Sequence, residues 1–210
     1  MLHGDGDPSA APGVRASDGV GAIPAGAARD ALTEAVAAID RAAVAGVDEA
    51  THDALALAGR AFGADRAYLF AYDFEAGLCH NTHEWCGATI EPQIALLQAF
   101  PLQLVPEWVA RHRAGKTMDV ADVFALPPDS GVRQTLEPQG IKSVTSVPLM
   151  DGPTCVGFVG FDAVRRHRTF GAVEHAVLRT LASALVRAYA RLGRGADGRV
   201  RASAAHDAVR

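Results

Sequence analysis

Two cysteines and two histidines lie close together in this 210-residue chain, and their side chains could bind a metal ion. They are Cys79, His80, His83 and Cys86, and thiolate and imidazole ligands at close spacing are typical of zinc and iron sites. The same stretch has the pattern of a β-strand, in which Cys79 and His83 share one face while the other two point away. In a strand, about 13 Å separates Cys79 from His83, whereas a metal ion holds its ligands at about 2 Å. We therefore expect ordinary strand residues and no metal site, with Cys79 and His83 as the alternative metal ligands.

Aromatic and polar side chains elsewhere indicate a pocket for a small organic molecule. The candidate pocket residues are Phe70, Tyr72, His83, Trp85, Trp108, Arg133 and Phe158. Both tryptophans carry an indole N–H that needs a partner when it is buried. The arginine or Glu84 would anchor a planar or weakly polar ligand. The alternative interpretation is a plain aromatic core.

Among the candidate pocket residues, His83 is the side chain that could ligate a haem iron. A single histidine on a strand is more often a packing or hydrogen-bonding residue. No pattern of cysteines and histidines indicates a haem or a bilin. The sequence alone therefore leaves the identity of any cofactor unknown.

The overall composition limits the function classes. The formal net charge is −4, whereas nucleic-acid-binding proteins carry a basic surface. No apolar run approaches the roughly 18 residues that cross a bilayer, and the N-terminus lacks the pattern of a secretory signal. Three cysteines are too few for a disulfide scaffold and suit a reducing compartment. We expect a cytoplasmic protein that binds neither nucleic acid nor membrane.

Periodic apolar patterns predict one domain, residues 28–192, between a disordered tail over residues 1–27 and a polar, basic tail over residues 193–210. The predicted helices begin at residue 29 and end before Gly46, and then span 47–62, 91–100, 106–113, 130–137 and 172–192. The predicted strands span 66–74, 78–86 and 116–120, followed by a hairpin over 141–163. Glycines inside a strand mark a close approach of backbone or ligand, and Gly157 and Gly160 lie in the second strand of this hairpin.

The predicted fold class is α/β (α+β), with a mostly antiparallel central sheet of five or six strands, because hairpins join most of the strands. The terminal helices would cover one face of the sheet. The segment 88–138 would roof the other face with short helices and loops, an arrangement that makes a natural small-molecule cavity.

An ordered series of short segments carries a family resemblance. These segments are Gly63 to Tyr68, Tyr72-Asp73, Asn81, His83 to Cys86, Leu97-Gln98, Trp108, Gly115, Asp122-Val123, Leu126-Pro127, Glu137 to Ser143, Val147 to Leu149 and Gly157 to Asp162. Over about residues 47–192 the chain resembles a GAF domain, the sensory module of many bacterial signalling proteins. The similar subgroup is often found beside GGDEF, EAL or histidine-kinase modules. One departure is Gly171, where the resemblance leads us to expect Ser or Thr as a helix cap.

The resemblance implies a non-enzymatic small-molecule sensor or regulatory module in signal transduction, with a ligand of unknown identity. The apolar stripes at residues 32–43 and 173–192 could also pack against a second copy, so we expect a homodimer through the terminal helices. The 18 residues after Leu192 are too few for a cyclase, kinase or DNA-binding domain. We therefore expect a separate signalling protein to provide the output.

Two alternatives to a sensor stay open. GAF-fold free-methionine sulfoxide reductases use paired cysteines in loops around a buried cavity, so the resemblance also allows a thiol redox enzyme or thiol sensor. Here Cys79, Cys86 and Cys155 all lie in predicted strands, where a buried thiol behaves as a small hydrophobe, and the roof segment contains no cysteine. The second alternative is a purely structural dimerisation domain whose cavity is filled with side chains.

Overall fold

The computed structural model describes residues 25–193 of the chain. The helices are α1 (Ala25–Arg41), α2 (Val47–Ala61), α3 (Pro106–Arg113), α4 (Gly131–Leu136) and α5 (Ala172–Arg191). The strands are β1 (Arg66–Asp73), β2 (Leu78–Cys86), β3 (Phe100–Pro101), β4 (Met118–Val120), β5 (Ser143–Asp151) and β6 (Thr154–Ala163). Most of both predicted tails, residues 1–24 and 194–210, lies outside the described residues. Helix α1 begins at Ala25, four positions before the predicted start.

The strands form one sheet in the order β3-β2-β1-β6-β5-β4, and each neighbouring pair is antiparallel. Short hairpins connect β1 to β2 and β5 to β6, which explains why these neighbours in sequence are also neighbours in the sheet. The predicted fold class is therefore confirmed, including the number of strands and their direction.

The two central strands, β1 and β6, are buried on both faces, because helices cover one face of the sheet and the roof covers the other. Residues of β1 that face the helices are Ala67, Leu69 and Ala71, and those that face the roof are Tyr68, Phe70 and Tyr72. This alternation in β1 follows the period of two that the sequence predicts. The sheet thus separates a mainly aliphatic core from one that is richer in aromatic rings.

Helices α1, α2 and α5 form the layer on the aliphatic side. Ile39 of α1 and Leu181 and Leu185 of α5 are almost fully buried in this layer. A surface ion pair between Arg187 of α5 and Asp40 of α1, 2.8 Å apart, joins the two terminal helices. The predicted apolar stripes of both terminal helices are therefore used, at least in part, to cover the sheet.

The roof differs from the prediction in its first part, because no helix forms over residues 91–100. Ala99 has a φ of 53°, which a right-handed helix does not allow. The Glu84 carboxylate accepts the backbone N–H groups of Gln93 and Ile94 at 2.7 and 3.0 Å, so a side chain from β2 organises this segment. The backbone N–H of Asn81 in β2 also donates to the carbonyl of Leu97. The apolar spacing that favours a helix instead places Leu97 over the sheet.

Strand β2 contains a β-bulge at Thr82, and this feature corrects the prediction that Cys79 and His83 share a face. Asn81 pairs with Phe70 and His83 pairs with Leu69, so Thr82 has no partner in β1. The hydroxyl of Thr82 donates to the carbonyl of Leu69 at 3.1 Å. A single extra residue reverses the alternation of every side chain that follows it.

The two glycines of β6 are required by close approaches, as the sequence predicts. A Cβ atom on Gly157 would collide with the backbone carbonyl of Phe70 in β1. A Cβ atom on Gly160 would lie 2.7 Å from the Tyr68 hydroxyl and 2.6 Å from the carbonyl of Thr145. Gly160 therefore leaves room for the Tyr68 ring to lie flat along the sheet.

Candidate functional site

One cavity lies between the aromatic face of the sheet and the roof. The cavity volume is about 70 Å³, and the cavity opens to solvent. The lining residues are Tyr68, Phe70, Tyr72, Cys79, Asn81, Glu84, Leu97, Phe100, Leu102, Val105, Trp108, Thr135, Leu136, Gln139, Ile141, Phe158 and Asp162. More than half of these residues are apolar, and none is Lys, Arg or His.

Stacked aromatic rings form one end of the cavity. Phe70 and Phe158 pair across β1 and β6, and their rings stack at 4.7 Å with 6° between the planes. Trp108 of α3 lies 5.9 Å from the Phe158 ring and is 6% exposed. Its indole N–H has no hydrogen-bond partner among the described residues. We call this group, with Tyr72, the aromatic end; it can enclose a flat apolar body and donate one hydrogen bond to it.

Two carboxylates form the opposite end of the cavity. Asp162 and Glu84 both line it, and Asp162 is only 4% exposed. Arg66 approaches Asp162 Oδ2 at 3.5 Å, while Oδ1 has no hydrogen-bond partner among the described residues. Burial raises the pKa of Asp162 to about 7, although Arg66 and Tyr68 act in the opposite direction. We call Tyr68, Asn81, Glu84 and Asp162 the acidic end.

A buried histidine connects the aromatic end to the sheet. His112 of α3 is fully buried, and its Nδ1 lies 2.8 Å from the Tyr72 hydroxyl while its Nε2 lies 3.0 Å from Ser146 Oγ. Burial lowers the pKa of His112 to about 3, so the ring is neutral and uses one nitrogen as donor and the other as acceptor. This chain of hydrogen bonds holds α3 against β5 and orients the ring of Tyr72.

Hydrogen bonds hold the roof to residues that line the cavity or contact its lining. Besides the bonds from Glu84, the Gln98 amide donates to the carbonyl of Asn81 at 2.7 Å. Arg66, the partner of Asp162, donates from Nε to the carbonyl of Glu91 at 3.1 Å. The acidic end is thus connected directly to the segment that covers it.

Three of the seven predicted pocket residues lie outside the cavity. The bulge turns His83 and Trp85 toward α2, where His83 Nε2 lies 3.5 Å from Asp48 and the Trp85 ring packs against Gly59. Arg133 of α4 binds Glu137 at 2.7 Å and two backbone carbonyls, so its guanidinium fastens the roof. The other four, Phe70, Tyr72, Trp108 and Phe158, line the cavity. Whether they bind a ligand stays a prediction.

The geometry supports neither a reactive thiol nor a metal ion bound by Cys79 and His83. Burial raises the pKa of Cys79 to about 12, and those of Cys86 and Cys155 to about 11, so all three are protonated at neutral pH. Residues 25–193 contain no cluster of three or more His, Cys, Asp or Glu side chains placed to hold a metal ion. Cys79 and His83 lie on opposite faces of the bulged strand, so they cannot share one metal.

The sequence names Glu84 as a candidate polar anchor, but the other residues of the acidic end, Tyr68, Asn81 and Asp162, were not predicted to line the pocket. The β1–β6 pairing sets Arg66 beside Asp162, and the bulge turns Glu84 toward the cavity. A readable signal was the position of Asp162, four residues after Phe158 and therefore on the same face of the strand. Tyr68 could also have been assigned to the cavity, since it alternates with Phe70. No sequence pattern marked the bulge that places Glu84.

Comparison with known proteins identifies the family to which this fold belongs. A family model of the GAF domain matches residues 46–189. The chain belongs to the GAF domain family. This GAF domain is 34% identical over 179 residues to the methanogenesis regulatory histidine kinase FilI of Methanothrix harundinacea (strain 6Ac). The match covers 80% of the chain but only 20% of that kinase.

Solved structures show the same fold at lower identity. The phycocyanobilin-bound GAF domain from a cyanobacterial phytochrome superposes with a TM-score of 0.66 at 18% identity, covering 79% of this chain and 95% of that one. The chromophore-binding domain of a Stigmatella aurantiaca bacteriophytochrome gives 0.61 at 15% identity, covering 80% and 62%. At these identities the likeness shows the fold alone. Within residues 25–193 no helix is both long and apolar enough to cross a membrane.

Proposed function

We propose that this GAF domain is a non-enzymatic sensor that binds a small organic molecule in the cavity and passes the signal through its terminal helices to a separate output protein. The observation that carries the proposal is the lined space between sheet and roof, which offers stacked rings at one end and hydrogen-bonding groups at the other. Such a combination of apolar wall and few polar groups is typical of small-molecule sites. The similarity to part of a regulatory histidine kinase supports a role in signalling.

The sheet provides a short route from the cavity to α5. Phe158 of β6 lines the cavity, while its neighbour Val159 and the nearby Phe161 are fully buried in the core beneath the helices. Leu178 and Leu181 of α5 belong to that same core. A ligand that displaces the Phe158 ring would strain β6, and close packing would carry the displacement to α5.

The output partner and the homodimer are parts of the same proposal. A histidine-kinase module would receive the signal, in line with the similarity to part of a regulatory histidine kinase. We propose that α1 and α5 also contact a second copy, since Leu32 and Val36 in the apolar stripe of α1 are only partly buried against the core. Light scattering during gel filtration would measure the mass: twice the 21.9 kDa of the chain supports the dimer, and a monomer at high concentration contradicts it.

Two neighbouring leucines allow a sharp test of ligand binding. Leu97 lines the cavity, whereas Leu96 is 76% exposed on the same loop. We expect that compounds from a metabolite library that raise the melting temperature of the wild type have no effect on Leu97→Trp, because the larger ring fills the cavity. The same compounds should still stabilise Leu96→Trp. A library without hits, or hits that stabilise both variants equally, would contradict the proposal.

A further inference from the structure

Two buried polar atoms that line the cavity have no hydrogen-bond partner among the described residues. One is Oδ1 of Asp162 and the other is Nε1 of Trp108. Both residues are almost fully buried, with exposed fractions of 4% and 6%. The great majority of buried polar groups in proteins are hydrogen-bonded, so an unpaired group requires an explanation. Because both atoms belong to the same lining, a ligand that spans the cavity would satisfy both.

The charges around the acidic end select the kind of ligand. Glu84 and Asp162 both contribute to the lining. Burial, with Glu84 nearby, raises the pKa of Asp162, so a cation bound between the two would favour the ionised form of Asp162. Among the described residues, the cation that contacts Asp162 is Arg66, which meets Oδ2 at a long 3.5 Å and also donates from Nε to a roof carbonyl. This end therefore carries two acidic side chains against one shared arginine, and the Tyr68 hydroxyl is already directed to Asp162.

The amide of Asn81 adds to this excess of acceptors. Its nitrogen satisfies the carbonyls of Leu69 and His83, at 3.2 and 3.0 Å, when the amide is oriented toward them. That orientation turns the amide oxygen toward Glu84. Asn81, Glu84 and Asp162 then all carry acceptor oxygens in the lining residues of this end. Glu84 Oε2 is already bonded to the roof backbone, so a ligand group with N–H donors would bond chiefly to Asp162 Oδ1 and to the Asn81 oxygen.

We propose that the ligand is an organic cation with an aromatic or apolar body, whose amine or amidine group lies among Asn81, Glu84 and Asp162 while its body lies between Phe158 and Trp108. The inference rests on the proposed function, since it names the ligand class of the same cavity. The lining contains no Lys, Arg or His, so an anionic ligand would meet two acidic side chains, while Arg66, outside the lining, is already engaged with Asp162 and the carbonyl of Glu91. Rings near a cation add a favourable electrostatic attraction.

The spacing of the two ends along β6 suits a molecule with separate head and body. Phe158 and Asp162 are four residues apart on β6, which corresponds to about 13 Å along a strand. Three probes of one shape but different charge cover much of this distance: 4-phenylbutylamine, 4-phenylbutanol and 4-phenylbutyrate. They are a cation, a neutral molecule and an anion at neutral pH.

The indole N–H signals in a two-dimensional ¹H–¹⁵N NMR spectrum provide the readout. The chain has two tryptophans, and Trp85→Phe identifies the signal of Trp108, which lies in the cavity. We expect 4-phenylbutylamine to shift this signal and to bind at least about tenfold more tightly than the alcohol, a difference of about 1.4 kcal/mol. The carboxylate probe should bind most weakly.

Matched substitutions assign the preference to the acidic end. Asp162→Asn keeps the size of the side chain and should reduce the affinity for the amine to that for the alcohol. Asp53→Asn removes an exposed carboxylate of α2, so it should leave the preference intact. The three-probe comparison in the wild type needs no variant, so the inference stays testable even where Asp162→Asn fails to fold.

The possible failures are distinguishable. Equal binding of amine and alcohol, or tighter binding of the carboxylate, would overturn the inference and leave the sensor proposal standing. If no probe shifts the Trp108 signal while a library compound does so in a Leu97-dependent way, the cation class is wrong but the cavity binds ligands. If neither the probes nor the library shift it, both proposals fail.

Discussion

His112 is the residue whose ionisation should most directly affect folding. Burial lowers its pKa from 6.5 to about 3, so the folded state resists a proton that the unfolded state accepts. The stability that depends on neutral His112 is fully present above pH 6.5 and is lost as the pH falls toward 3. At pH 4.5 this amounts to about 2 to 3 kcal/mol relative to pH 7.

A variant pair isolates this contribution. We expect the difference in unfolding free energy between wild type and His112→Gln to shrink as the pH falls from 7 to 4.5, because the amide does not titrate. Urea denaturation at each pH measures it. His52→Gln serves as the control, since His52 is half exposed and outside the core, and should track the wild type. A constant difference between wild type and His112→Gln would show that His112 is not held neutral by the fold.

Asp162 should show the opposite dependence on pH. Its folded pKa of about 7 lies above the ordinary value of 3.8, so the neutral carboxyl favours folding. This contribution is fully present below pH 3.8 and is lost as the pH rises through 7, by up to about 4 kcal/mol. Relative to Asp162→Asn, the wild type should therefore lose stability between pH 4 and 7. Denaturation of Asp53→Asn provides the control, and a slope of the reverse sign would mean that Arg66 holds Asp162 ionised.

At the scale of elements, the bulge at Thr82 decides which side chains of β2 reach the cavity. It turns Trp85 onto α2, where a Cβ atom on Gly59 would collide with the indole ring. We expect Gly59→Ala to destabilise the fold by about 1 to 3 kcal/mol, although alanine favours a helix in general. Gly46→Ala, next to open space at the start of α2, should cost much less. If Gly59→Ala proved as stable as Gly46→Ala, the placement of Trp85 would be wrong.

The same elements show what the sequence could predict. The alternation in β1 and the hairpin that contains Gly157 and Gly160 gave the strands, their pairing and the aromatic face, because those signals are local. The bulge could not be predicted, since only the pairing of Leu69 and Phe70 with β2 reveals the extra residue. The helix predicted over residues 91–100 failed for a related reason: a carboxylate from another strand binds the backbone of this segment.

At the scale of the whole molecule, the sheet lies between the cavity and the terminal helices. The roof and cavity lie on one face, and α1, α2 and α5 lie on the other. The arrangement predicts that occupation of the cavity changes the stability of elements that never contact the ligand. A domain with a filled and purely structural interior would show no such response.

Hydrogen–deuterium exchange of α5, measured with and without the tightest-binding library compound, tests this central claim most directly. We predict slower exchange in β1 and β6 and a changed rate in α1 and α5 for the wild type and for Leu96→Trp, with no change for Leu97→Trp. Changes confined to the roof and sheet, with the exchange of α1 and α5 unaffected by ligand, would contradict the account of this domain as a sensor that signals through its terminal helices.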